Sequence, residues 1–270
     1  MLCDIWGVLH DGQKAFAAAV DALQRHRGGG GVVVLITNAP RPANFIAAQL
    51  QRLGVARDCY DAIVTSGDVA IDLVAQWLDR PVAHIGPQRD ISLIEAAAQK
   101  RGVKPIMSDL AQAASVICTG LFDDINETPS DYEARLREMS ARGQIMICAN
   151  PDIIVHRGSD ILYCAGALAQ RFKELGGAVI YSGKPYAPIY DQALRLGREA
   201  GGAEFGKAQV LAIGDGLPTD MRGAADYGLA TLFISAGIHQ AHEHGAEALG
   251  ELCARHNLSP NHALDRLRWA

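Results

Sequence analysis

At 270 residues, with 49% hydrophobic and 20% charged side chains, the chain reads as an ordinary globular protein, either one α/β domain with an insert or two modest domains. Its net charge of −5 provides no basic footprint for nucleic acid, so any anion specificity must come from a local site. No run approaches the roughly 18 uninterrupted apolar residues of a membrane span, and no basic segment leads an apolar one as in a secretory signal. The expectation is a cytoplasmic protein that binds neither nucleic acid nor membrane.

In chain order, the first element is Leu2-Cys3-Asp4, an apolar run ending in an acid, followed by a turn, Trp6 to Gly12, punctuated by glycine. A central strand usually runs about 5–6 residues, so this one is unusually short or cut back, with a charged α-amino group near the sheet at some cost in stability. Further apolar, β-branched runs follow at Val32–Ile36, Ile63–Val64, Val82–Ile85, Val116–Cys118, Ile145–Cys148, Val179–Tyr181, Val210–Ile213 and Thr231–Ile234. Between them, helical patterns cover Ala15–Arg27, Pro42–Leu53, Val69–Leu78, Ser92–Arg101, Ser130–Arg142, Gly166–Leu175, Pro188–Ala200 and Thr219–Tyr227. This alternation predicts parallel sheet, and the runs at Val32–Ile36 and Val210–Ile213, apolar throughout, predict strands covered on both faces. Six cysteines (Cys3, Cys59, Cys118, Cys148, Cys164, Cys253) stand far apart without a C-x-x-C pair and read as reduced core residues.

The polar strand ends fall in two groups, Asp4 and Thr37-Asn38 before residue 40, Lys184 and Asp215 after residue 180. The middle is therefore read as an insert: a core of residues 1–66 and 182–270, and a second α/β domain of residues 67–181. In a doubly wound sheet the core's strand ends converge where strand order reverses, the usual place for a ligand.

Each group has a chemical reading beside a structural one. Asp4, at a strand end, is placed to attack an electrophilic phosphorus or carbon. Thr37 and Asn38 follow a buried strand and precede a helix start, where they offer hydrogen bonds to phosphate or simply cap the helix. Lys184 lies in Ser182-Gly183-Lys184-Pro185, a turn that fixes an ammonium able to neutralise carboxylate and phosphate; the alternative is solvated surface. In Gly214-Asp215-Gly216-Leu217-Pro218-Thr219-Asp220, a strand ends in an acid and a second acid opens a helix. That pair suits Mg²⁺, which takes oxygen ligands, although Asp220 alone also reads as a cap.

Together these motifs resemble the haloacid dehalogenase-like hydrolase superfamily. The long insert, with Asn150-Pro151-Asp152 and Gly166-Ala167-Leu168, looks like the C2-type cap of the NagD-like class IIA. The resemblance implies a Rossmann-like core, a phospho-Asp4 intermediate, and Mg²⁺ held by Asp4, Asp215 and the main-chain carbonyl of Trp6, with Asp220 supporting both metal and Lys184. It also implies phosphoryl binding by Thr37, Asn38 and Lys184, and a small phosphorylated metabolite as substrate; the cap surface is a candidate homodimer contact.

The departure is Trp6. The family's phosphatases carry there the Asp that protonates the leaving alkoxide and later activates water, and an indole does neither. Loss of such a group costs about 10²–10⁴ in rate. The expectation is a weakened or redirected phosphatase, with His10 or Asp11 as candidate substitutes for the acid. The alternatives are a non-catalytic, phosphometabolite-binding regulatory protein and, less favoured because its chemistry needs no metal, a dehalogenase. Three further features read first as surface: His239, His242 and His244, on a helix at spacings that could also bind metal; Asp123-Asp124, in a turn; and His156-Arg157-Gly158, on a hairpin, the last two also candidate substrate contacts.

Overall fold

A computed structural model describes residues 1–157, 160–237 and 245–269. The chain divides into two compact units, one of Met1–Thr37, Asn44–Val64 and Lys184–Ala270, the other of Asn38–Ala43 and Thr65–Gly183.

The first unit is built on a six-stranded sheet. Its strands are β1 (Leu2–Asp4), β2 (Val34–Thr37), β3 (Ala62–Thr65), and, numbered after the strands of the second unit, β10 (Leu211–Gly214), β11 (Ala230–Ile234) and β12 (His262–Leu264), in the order β12-β11-β10-β1-β2-β3. Strand β1 pairs in parallel with β2 on one side (Asp4 opposite Ile36) and with β10 on the other (Cys3 opposite Ile213). The order of connection reverses between β1 and β10, which creates a crevice at their carboxyl ends. Three residues suffice for β1 because all three are buried and both edges are paired. The Met1 ammonium donates to the Val32 carbonyl oxygen at 2.6 Å, which compensates part of its burial.

Helices α1 (Ala17–Gly28), α2 (Ala43–Arg52), α7 (Ala187–Gly201), α8 (Arg222–Tyr227) and α9 (Gly245–Arg255) connect these strands. Helix α7 buries Ile189, Tyr190, Ala193, Leu194 and Gly197 at i, i+1, i+4, i+5 and i+8, the spacing of one helical face.

The second unit repeats the same logic with a separate core. Strands β4 (Val82–Ile85), β5 (Ser115–Cys118), β6 (Ile145–Cys148) and β9 (Ala178–Tyr181) form a parallel sheet in that order. Alternate residues serve opposite faces. Val116, Cys118, Met146 and Cys148 pack with Tyr132 and with Leu136 and Phe172 of α5 (Glu133–Ala141) and α6 (Ala165–Glu174). Ile117 and Ile147 pack with Val74 and Ile94 of α3 (Ser66–Ala75) and α4 (Ser92–Arg101). An antiparallel hairpin, β7 (Ile154–Arg157) and β8 (Asp160–Tyr163), completes the unit. Among the described residues no helix is long and apolar enough to cross a membrane.

The units differ from the sequence-read boundaries for a local reason. Helix α3 starts at Ser66, not Val69, because Thr65 and Asp68 form a capping box: Thr65 Oγ1 accepts the Asp68 N–H and Asp68 Oδ2 accepts the Thr65 N–H. Asp68 Oδ1 also accepts the Ala43 N–H, and Ala39 O accepts the Gly67 N–H, which ties residues 38–43 to the second unit.

Candidate active site

Asp4, Lys184, Asp215 and Asp220 lie together in the first unit, all buried. Lys184 Nζ donates to Asp4 Oδ1 at 2.7 Å and to Asp220 Oδ1 at 2.6 Å. Each of the three carboxylates offers an oxygen within 4.8 Å of the others. Asp220 is positioned twice, since its Oδ2 accepts the Gly216 N–H at 3.0 Å. It therefore caps the turn and holds the lysine, and the two sequence readings of this residue describe one arrangement. The turn over Leu217–Met221 is wound wider than an α-helix, with Met221 N–H bonded to Gly216 O, which seats Asp220 under the end of β10.

Two glycines make room for Asp215. A Cβ on Gly7, whose φ is +81°, would lie 1.9 Å from Asp215 Oδ2, and one on Gly237 would lie 2.0 Å from the same oxygen. Any side chain at either position displaces the carboxylate. Gly223 does the same for the lysine turn, because a Cβ there would lie 2.6 Å from Pro185 Cα.

Burial and the neighbouring Asp220 push the Asp4 carboxyl up, to about 7, against the opposing pull of Lys184. Two carboxylates on one ammonium leave a net negative charge before Asp215 is counted. A buried all-oxygen donor set of this charge fits a hard divalent cation such as Mg²⁺.

Thr37 ends β2, one residue beyond the register partner of Asp4, and is buried at the same edge of the sheet. Asn38 belongs to the second unit, where its Nδ2 donates to Asp152 Oδ1 at 2.8 Å.

Trp6 is half-buried in the turn after β1. Its ring meets His10 edge to face, with centroids 5.2 Å apart and planes at 74°. A Cβ on Gly12 would lie 2.6 Å from the indole, so the bare backbone there is part of the indole's seat. His10 is buried, its pKa pushed down to about 4 by burial, and its Nδ1 accepts the Gly12 N–H at 2.9 Å. The ring is thus neutral, with its proton on Nε2. Asp11 Oδ1 accepts the N–H groups of Gln13 and Lys14, both at 2.9 Å. Burial raises the Asp11 carboxyl, but the Lys14 and Gln13 N–H groups together outweigh it and hold the carboxyl below its ordinary value. Both candidate substitutes close this turn, His10 through Nδ1 and Asp11 through Oδ1.

Asp123 likewise closes a turn of its own, accepting the Ile125 and Asn126 N–H groups, while Asp124 pairs with Arg89. His156 and Arg157 lie on β7. Gly158, His239, His242 and His244 lie outside the described residues.

Fold and cluster define a Rossmann-like α/β protein with a carboxylate centre at its topological switch point. Residues 1–100 match the family model for haloacid dehalogenase-like hydrolases, and residues 181–269 match a second model, for HAD-hydrolase-like proteins. A crystal structure of a haloacid dehalogenase-like hydrolase from Brucella suis 1330 is 43% identical with a TM-score of 0.87, covering 98% of this chain and 94% of that one. The D-glycerol 3-phosphate phosphatase of Mycobacterium tuberculosis is 26% identical over 247 residues, 89% of this chain, and the chain spans 64% of that relative's length. A glycerol phosphate phosphatase of the same organism, solved with magnesium, shares the fold at a TM-score of 0.69 and 21% identity, over 98% of this chain and 74% of that one. The chain belongs to the haloacid dehalogenase-like hydrolase family.

Proposed function

We propose that this chain is a magnesium-dependent phosphohydrolase acting on a small phosphorylated metabolite through a phospho-Asp4 intermediate, with the second unit as its C2-type cap. The observation that carries the reading is the buried cluster in which Lys184 bridges Asp4 and Asp220 beside Asp215. Asp4, Asp215 and the Trp6 carbonyl would hold the metal, which supplies Lewis-acid charge beside the phosphoryl oxygens. Asp4 attacks phosphorus as a carboxylate, and the bond from phosphorus to the leaving oxygen breaks. Lys184 favours the ionised form of Asp4 against its burial and neutralises charge gathering on the phosphoryl group. Thr37, at the same strand edge, donates its hydroxyl to that group. Water then displaces Asp4 and releases phosphate.

Relatives named as phosphatases, one of them solved with magnesium and also with calcium, support the reaction class and a divalent ion. Trp6 favours a second reading, a metabolite-binding protein that keeps the cradle without turnover. Phosphate release by the magnesium-loaded chain distinguishes the two, and Asp4→Asn is expected to lower it by about 10⁴-fold or more. Full activity after chelation would refute the metal assignment. Halide release from a haloacid without metal would replace phosphorus by carbon as the electrophile.

A further inference from the structure

The chain leaves the first unit between Thr37 and Asn38 and returns to it between Gly183 and Lys184. Thr37 and Lys184, the two residues assigned to the phosphoryl group, are therefore each one peptide bond from the second unit. A buried network inside that unit holds Asn38 and Gly183. Asn38, 2% exposed, donates from Nδ2 to Asp152 Oδ1 at 2.8 Å. Asp152 is itself fixed at both ends: its N–H donates to Asn150 Oδ1 at 3.1 Å, and its carbonyl oxygen accepts the Gly166 N–H at 3.0 Å. Gly166 is bare because a Cβ there would strike that same oxygen.

The carboxylate decides which way the Asn38 amide points. A carboxylate accepts and does not donate, so the amide atom facing it is the nitrogen, and the Asn38 oxygen is turned away from it. That oxygen lies against Gly183, where a Cβ would strike Asn38 Oδ1 and would also come within 2.8 Å of Pro151 Cδ. One amide thus fills the space between Asp152 and the backbone that runs into Lys184. We propose that Asp152 is a positioning residue of the phosphoryl site, acting through Asn38 to hold Thr37 and Lys184 in place for one phosphoryl group; this rests on the phosphoryl-binding reading given above for those two residues. Side chains one peptide bond from a braced residue inherit its placement, and a shift of about 1 Å in a site of this kind can cost on the order of 10²-fold. The second unit then has a task in phosphoryl binding that is independent of the rest of the substrate.

The test is the affinity of the full chain, with MgCl₂, for inorganic phosphate, read by calorimetric titration and as inhibition of aryl phosphate hydrolysis. Asp152→Ala is expected to weaken phosphate about 10-fold, to raise KM for esters of different leaving groups by a common factor, and to leave the magnesium-induced rise in melting temperature unchanged. Asp152→Asn keeps an acceptor oxygen in place and should lose less. On an Asn38→Ala background Asp152→Ala should add no further loss, as action through that amide requires. Ser140→Ala deletes a hydrogen bond to the Leu175 carbonyl oxygen elsewhere in the same unit and should bind phosphate as wild type does. Wild-type affinity in Asp152→Ala, losses that multiply in the double variant, or an equal loss in Ser140→Ala would overturn the inference while leaving the phosphoryl reading intact. A wild-type chain that neither binds phosphate nor hydrolyses the ester would instead overturn the phosphoryl reading, and the inference with it. Should Asp152→Ala not fold, the same cycle run with Asp152→Asn decides.

Discussion

In the first unit β1, β2 and β10 run out into Asp4, Thr37 and Asp215, whereas in the second unit β4, β5 and β6 run out into Gly86, Thr119 and Ala149-Asn150. The scaffolds are alike: parallel strands, apolar on both faces, with helices between. The endings differ in charge. In the second sheet Thr119 Oγ1 lies 2.9 Å from His84 Nε2, Asn150 Oδ1 accepts the Asp152 N–H, and Ser182 Oγ donates to Cys148 O. These are hydrogen bonds of neutral side chains, although Thr119 also bonds the buried carboxylate of Asp90. In the first sheet three carboxylates gather on one lysine, an arrangement that costs folding free energy unless a further cation joins it. The first sheet gathers its carboxylates in one cluster, a charge imbalance that a ligand can use.

The largest expected effect breaks this contrast from the charged side. Asp215→Asn removes one carboxylate, so the magnesium-induced rise in melting temperature should vanish while the metal-free chain melts higher than wild type. Its counterpart in the second sheet, Thr119→Val, removes the hydroxyl's bonds to His84 and to the buried Asp90 carboxylate, costs about 1–3 kcal/mol, and leaves the magnesium response in place. Thermal melts with and without chelator check both. A metal-free Asp215→Asn chain less stable than wild type would mean that the three carboxylates do not repel as described.

The next effect is a pair of opposite pH slopes. Burial lowers the His84 pKa from 6.5 to about 4, so the folded chain binds fewer protons than the unfolded one between those values. Its contribution is full above pH 6.5 and is lost as pH falls through 4, by up to about 3 kcal/mol. Asp4 has the opposite sign. With its carboxyl raised from 3.8 to about 7, the folded metal-free chain binds the extra proton, and stability fades as pH rises through that range. Urea melts in chelator at several pH values should show the wild-type-minus-variant difference growing with pH for His84→Gln and shrinking with pH for Asp4→Asn. Slopes of the same sign in the two series would contradict the contrast.

Much of this was legible in the sequence, because strand-end acids after apolar runs announce themselves. Val82–Ile85 and Ile145–Cys148 run as read, and Gly214-Asp215 signals its own strand end. The capping box of Thr65 and Asp68 moved a helix start by three residues, and with it the edge of the insert. Strand β12 is three residues long and unmarked by any apolar run. Gly7, Gly12 and Gly237 carry no sequence signal for their role, since what each avoids, a carboxylate or an indole, is brought there by the fold. The tasks of His10 and Asp11 were hidden for the same reason: a turn-closing hydrogen bond and a proton-transfer position use the same residue types.

The smallest effect tests the claim that the scaffolds themselves are equivalent. Gly102 and Gly202 follow α4 and α7 as left-handed caps, with φ of +71° and +63°, and a Cβ at either meets nothing within 4 Å. With no contact to lose, the cost of Gly102→Ala or Gly202→Ala is the backbone's alone, about 1 kcal/mol each. Denaturant melts should therefore give similar losses in the two units, and neither variant should shift the magnesium response. A much larger loss at Gly202 alone would place the difference between the units in the helices as well as at the strand ends, and the contrast drawn from Asp4, Asp215 and Asp220 would be too narrow.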